Sequence, residues 1–108
     1  MRNSAESRAR RHYRLRGYRI LDTNAWCGGY ELDLVVRRGL WLVFCEVKSK
    51  SGEGFGDPLE MVGEVKAHRI RRAAEAWLAR HPEHVELAVR LDVMVERRGR
   101  LECVRAAL

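Results

Sequence analysis

The segment joining two strand-like runs constrains this chain most. Leu40–Cys45 is an unbroken apolar run, and Glu86–Glu96 reads as another strand. Between them, Asp57-Pro58-Leu59-Glu60 has the marks of a helix start: Asp at the N-cap, Pro at the first helical position, Glu at the third. Apolar residues Leu59, Val62, Ile70, Ala73, Ala74 and Trp77 recur at intervals that form one helical stripe. The pattern continues to about Arg80, where His81-Pro82 stops it. A helix of about twenty residues between two strands of one sheet requires a crossover, and a right-handed crossover leaves those strands parallel.

The remaining elements fit around that unit. Ser4 to about Arg16 reads as a helix ended by Gly17. Tyr18–Asn24 reads as a strand running into a turn, and Cys27-Gly28-Gly29 as a loop or hairpin turn. Tyr30–Arg38 and Leu40–Lys48 are two strands joined around Arg38-Gly39, and a last pair is joined around Arg98-Gly99. The expected fold is α/β, in the order α-β-β-β-α-β-β, with a mixed five-stranded sheet and helices packed on it. At 108 residues and 46% apolar, residues 1–108 are expected to form one domain.

No apolar run is long enough to span a membrane, and no apolar stretch follows the Arg-rich N-terminus as a secretory signal would require. Cys27, Cys45 and Cys103 are odd in number and lack CxxC spacing, so they read as reduced thiols in a cytoplasmic protein rather than a disulfide frame or zinc site. The four histidines show no ligand spacing, and His81 and His84, beside Pro82, read as solvated.

The formal charge is +6, which suits a phosphate backbone as partner and equally suits a merely solvated surface. Of 21 basic residues only Lys48, Lys50 and Lys66 are lysine. Lysine is a compact donor whose pKa moves on burial, whereas arginine stays charged and forked. Where an arginine-rich chain keeps lysine, a specific role is worth testing.

Alternation places Tyr30, Leu32, Leu34 and Val36 on one face of the second strand, and Glu31, Asp33 and Val35 on the other. On the third strand Leu42, Phe44, Glu46 and Lys48 share a face. Because the two strands are hairpin partners, Asp33 and Glu46 can approach within a few ångströms. Two close carboxylates repel, which raises one pKa, and a divalent cation relieves the repulsion. Magnesium (or manganese) accepts a few carboxylates together with water and phosphate oxygens. A lysine two residues from such a ligand can orient an attacking water or offset phosphate charge. The same Glu-x-Lys pattern also describes an ordinary strand ion pair, worth about 0–1 kcal/mol.

Further residues carry two readings each. Glu6 completes a capping box with Asn3, or reaches over the sheet as a third acid. Lys66 interrupts the helix stripe and either snorkels to water or points its ammonium at the acids. Arg69, near it at the stripe's edge, can hold a phosphate. Asp92 interrupts a strand and reads as a partner for Arg90 or another arginine.

Taken in order, these segments resemble the YraN family of small bacterial proteins, which carry a restriction-endonuclease-like fold of the PD-(D/E)xK type. The segments are Glu6 ahead of Gly17–Leu21, Glu31–Val36, Leu42–Lys50, Phe55–Leu78 and Arg90–Met94. The layout is also similar to archaeal Holliday-junction resolvases, which act as dimers with magnesium. The resemblance implies Glu6, Asp33, Glu46 and Lys48 as the catalytic set. It implies Asp33, Glu46 and the Val47 carbonyl as ligands of magnesium or manganese. Two positions depart from the family pattern. Tyr30 stands where glycine is usual, and Trp26 where an arginine commonly follows an Asn-Trp pair.

Three functions follow as expectations. The first is a metal-dependent endonuclease hydrolysing phosphodiester bonds in DNA, with branched or damaged DNA as the candidate form and Lys50, Lys66 and Arg69 on its backbone. A homodimer is compatible with this. The second is a non-catalytic nucleic-acid-binding module that keeps the nuclease fold. The third is an interaction subunit, contacting a partner through Met61 and Val65.

Overall fold

The structure, a computed structural model, describes residues 4–50 and 63–106, apart from the side chains at 4, 50 and 63–65. Asn3, the glycine-rich loop after Lys50, the Asp57-Pro58 helix start, and Leu59, Met61 and Val62 lie outside the described residues.

Helix α1 spans Ser4–Leu15. It ends because Gly17 adopts φ +85°, a left-handed conformation that glycine tolerates at little cost. The Tyr18 amide then donates to Tyr13 O at 3.0 Å and the Gly17 amide to Arg14 O at 3.1 Å. This pair of bonds closes the helix as a Schellman motif and turns the chain back toward the sheet.

The strands are β1 (Arg19–Cys27), β2 (Tyr30–Arg38), β3 (Trp41–Lys50), β4 (Ala88–Arg97) and β5 (Arg100–Val104), lying in the order β1-β2-β3-β4-β5. The β1–β2, β2–β3 and β4–β5 pairs are antiparallel, while β3 and β4 are parallel in register Trp41↔Ala88 through Lys50↔Arg97. Helix α2 (Gly63–Arg80) makes the crossover between them. The element order and the parallel pair are those the sequence pattern demands.

Hydrophobic burial holds a helix on each face of the sheet. On one face Ala5, Ala9 and Tyr13 of α1 pack on Leu34, Val36, Val43, Cys45, Val47 and Met94. On the other, Ala67, Ile70, Ala73, Ala74 and Trp77 of α2 pack on Leu32, Val35, Leu42, Phe44, Leu91, Val93 and Val95. The tight β1–β2 turn needs Gly28, at φ +58°, partly because a Cβ there would lie 3.2 Å from Arg72 O.

Three expectations are corrected. β1 does not turn at Asn24 but continues through Trp26 and Cys27, with Asn24 taking φ +50° within the strand. On β2 the alternation slips. Leu32 shares the α2 face with Val35, whereas Leu34 and Val36 face α1. The slip falls at Asp33, opposite Asn24, between the regular pairs Thr23↔Leu34 and Ala25↔Leu32. Its physical cause is visible at Asp33, whose carboxylate takes the Val47 amide in place of a backbone carbonyl.

The third correction concerns His81 and His84, which are not solvated loop residues. The His81 ring stacks on Trp77 at 3.8 Å, and its Nδ1 lies 2.8 Å from Trp77 O. His84 is buried, and the Arg37 guanidinium donates to its Nδ1 at 3.0 Å. Both rings cover an indole that is itself 1% exposed.

Candidate active site

The phase slip in β2 builds the site. β2 and β3 pair regularly from Arg38↔Trp41 up to Leu34↔Cys45. One step further, Asp33 faces Glu46. The Val47 amide donates to Asp33 Oδ2 at 2.8 Å, so a side chain replaces the ladder just where the acids meet. In a strand a residue's carbonyl points to the same side as its amide. The Val47 carbonyl therefore faces the same gap as Asp33.

Glu46 is 4% exposed, on the α2 face beyond Leu42 and Phe44, as the alternation of β3 requires. Its Oε2 accepts from the Tyr30 hydroxyl at 3.1 Å and pairs with the Lys48 ammonium at 2.8 Å. Those donors fix one carboxylate oxygen and leave Oε1 as the other. On Asp33, likewise, Val47 takes Oδ2 and leaves Oδ1.

Electrostatics mark the pair as strained by its own charge. Burial pushes the Asp33 carboxyl up, and the charges of Glu46 and Glu6 push it further. The Val47 amide opposes them only in part, and the result is about 7. Burial pulls the Lys48 ammonium down, but its bonds to Glu46 and Lys66 outweigh that and raise it above the usual lysine value. Burial, then the Glu46 charge, lifts the Tyr30 phenol to about 12, so it stays a donor at neutral pH.

The structure brings Glu6, Asp33, Glu46, the Val47 backbone, Lys48 and Lys66 to one end of the sheet. Glu6 reaches it from α1, acts electrostatically on Asp33, and accepts from Asn24 Nδ2 at 3.4 Å. Lys66, half-buried on α2, lies within reach of Lys48. Arg69 lies exposed on α2, and the Lys50 side chain lies outside what is described. Among the described residues no three His, Cys, Asp or Glu side chains close into a metal cage. The site offers two carboxylates and a carbonyl, a donor set that suits a hard, partly hydrated cation such as magnesium.

Two participants escaped the sequence reading. Tyr30 registered only as a departure from glycine, with no sign that its hydroxyl holds Glu46. Asn24, at the end of the Tyr18–Asn24 run, reads in sequence as a turn residue. The available signal was an asparagine inside a strand-like run, since asparagine tolerates positive φ better than most residues.

Asp92 belongs elsewhere. It is 1% exposed and accepts from Arg90 through both oxygens at 2.9 and 3.0 Å, from the Tyr13 hydroxyl at 2.8 Å and from the Ala106 amide at 3.0 Å. That is a fully bonded buried ion pair tying α1, β4 and the end of β5. The arginine partner predicted for it is present.

The profile of the uncharacterised protein family UPF0102 matches residues 5–95, a span that includes Glu6, Asp33, Glu46 and Lys48. The chain belongs to UPF0102, the family of the YraN proteins. It is 50% identical to a UPF0102 protein of Frankia alni over 100 residues, covering 93% of this chain and 82% of that relative. To the Frankia casuarinae protein it is 48% identical, covering 94% and 90%. To that of a Synechococcus strain it is 42% identical, covering 100% and 84%. The family sequence thus extends to every element that builds the acid pair. No described helix is long and apolar enough to cross a membrane.

Proposed function

We propose that this protein is a metal-dependent endonuclease that hydrolyses phosphodiester bonds in nucleic acid, with DNA, and branched or damaged DNA in particular, as its substrate. The observation that carries the proposal is the meeting of half-buried Asp33 with buried Glu46, with Lys48 bonded to the same glutamate. A structural ion pair needs one acid for its lysine. Here buried Glu46 and half-buried Asp33 converge, and a third acid, Glu6, adds its charge.

Asp33, Glu46 and the Val47 carbonyl would hold magnesium or manganese. Bound there, the ion supplies charge neutralisation at a phosphate oxygen and acidifies water. Lys48 lies beside Glu46 to orient the attacking water and to offset charge as it builds on phosphorus. The water oxygen bonds to phosphorus, one ester P–O bond breaks, and the leaving alkoxide takes a proton from solvent. The proton that the water loses passes to Glu6 and on to solvent. Lys66, with Arg69 and Lys50, contacts the backbone through charge rather than sequence.

The test is cleavage of single-stranded, duplex, flap and four-way DNA, and of RNA, with magnesium or manganese, by the wild type and by Asp33→Asn. Absence of cleavage on the whole panel, or cleavage unchanged in Asp33→Asn, sinks the proposal. One observation favours the second reading, a binding module without catalysis: the Tyr30 hydroxyl occupies a Glu46 oxygen at the departure from glycine. That reading predicts salt-dependent binding that ignores divalent metal.

A further inference from the structure

The parallel pairing of β3 and β4 has a consequence for the substrate path. Lys48 pairs with Val95, so β4 runs past the acid pair in the same direction and ends at Arg97. The turn to β5 therefore projects from the same end of the sheet as the site. Its sequence, Arg97-Arg98-Gly99-Arg100, carries three arginines in four residues. Alternation along β4 puts Arg97 on the face of Val93 and Val95, the face that also bears Glu46 and Lys48. Arg100 pairs directly with Arg97 and shares that face. From Val95 to Arg98 the strand advances about 10 Å, roughly three rises of a nucleic-acid strand.

Glu96 pairs with Arg8 of α1, and Glu102 lies 3.7 Å from Arg97. Arg98 and Arg100 are exposed at the rim of a concavity of about 410 Å³, lined also by Arg97, Leu101 and Glu102. Leu101 in turn borders a second concavity lined by Arg8 and Arg11 of α1.

Backbone conformation supplies the independent argument. Arg98 and Gly99 both have positive φ, +53° and +78°, as a two-residue hairpin of type I′ requires. That first position favours asparagine, aspartate or glycine, and the chain's other such turn uses Gly28-Gly29. An arginine there is strained, so turn stability does not account for it. Strain of this kind clusters where function holds a residue.

We infer that the β4–β5 hairpin tip, through Arg98 and Arg100, is a second phosphate-binding element that grips the nucleic-acid backbone a few nucleotides from the acid pair. The inference rests on the nucleic-acid reading above but not on catalysis. The test is fluorescence anisotropy of labelled duplex and four-way DNA across a salt series without divalent metal. It compares wild type, Arg98→Asn and Arg98→Asn/Arg100→Gln. Each lost contact should weaken duplex binding about eightfold at 0.1 M salt and lower the log–log salt slope by about 1. Arg98→Asn should at the same time raise Tm, because asparagine accepts the left-handed position better. Wild-type binding that both variants retain, slope included, overturns this inference and leaves the proposed function standing. A Tm that falls with affinity overturns it too, since Arg98 would then be holding the hairpin. Wild type that binds no nucleic acid at low salt overturns both.

Discussion

Asp33 should make metal binding a proton exchange. With its carboxyl raised to about 7, Asp33 holds a proton over much of the neutral range, and a divalent cation must displace it. At pH 6 the site is about 0.1 ionised and at pH 8 about 0.9 ionised, so the apparent Kd for manganese should tighten about ninefold between them. Binding should release about 0.9 proton per ion at pH 6 and about 0.1 at pH 8. Titration calorimetry in two buffers of different ionisation enthalpy measures both quantities on the same sample. The sign on stability is opposite. A carboxyl raised in the folded state binds its proton more tightly there than in the unfolded chain. Its contribution is therefore fullest below the unfolded value near 4 and is lost as pH rises toward 7. Without metal, stability from this group declines across that window, and metal restores it at the alkaline end. A manganese affinity equal at pH 6 and pH 8, with no proton release at pH 6, would refute the reasoning that the acids share one cation site.

Asp33→Asn should raise Tm at pH 8 in the absence of metal, because the Val47 amide keeps an acceptor while the repulsion with Glu46 disappears; thermal unfolding with and without manganese shows whether the metal response vanishes as well. Tyr30→Phe removes one of the two donors on Glu46 Oε2, leaving Lys48 on it, at a stability cost of about 1 kcal/mol; urea titration reads the cost, and cleavage or metal affinity that rises in this variant identifies the hydroxyl as a restraint on the site. Asp92→Ala leaves Arg90 without its buried partner and should cost about 3–5 kcal/mol, measured by chemical denaturation, while Asp33-dependent metal binding persists in the folded fraction. Gly28→Ala should cost about 2 kcal/mol through its positive φ and its crowding against Arg72 O, with no effect on metal affinity.

Most of the architecture was legible because each element announces itself locally. The Pro82 stop, Gly17 after the first helix and the paired turns at Arg38-Gly39 and Arg98-Gly99 fix boundaries. The helix between β3 and β4 fixes the parallel pair. The alternation Leu42, Phe44, Glu46, Lys48 was equally plain, and it held. What escaped was non-local. The face exchange on β2 arises from one side chain capturing an amide on the neighbouring strand, which no periodicity within β2 reveals. Tyr30 acts across a gap that exists only because of that exchange. His84 looks like a loop histidine until the Trp77 indole and Arg37 arrive from other elements. For the acids, residue types and order were visible in sequence, but the raised pKa of Asp33 depends on burial that only packing creates.

The slip at Asp33 also bears on how such a chain can change over generations. Leu32 belongs to one core and Leu34 to the other, so the irregular residue between them keeps both hydrophobic sets in place. Restoring regular alternation through Asp33, with no residue lost, would turn the Leu32 side of the strand toward the wrong helix. The notch that holds the acids is thus maintained by packing, whether or not the chemistry is under selection. If the chain cuts as proposed, a descendant that stopped cutting could replace Asp33 or Glu46 by point substitution yet would inherit the notch intact. Within this family, therefore, the identities of a few polar side chains should separate working from silent members, while the backbone stays the same in both.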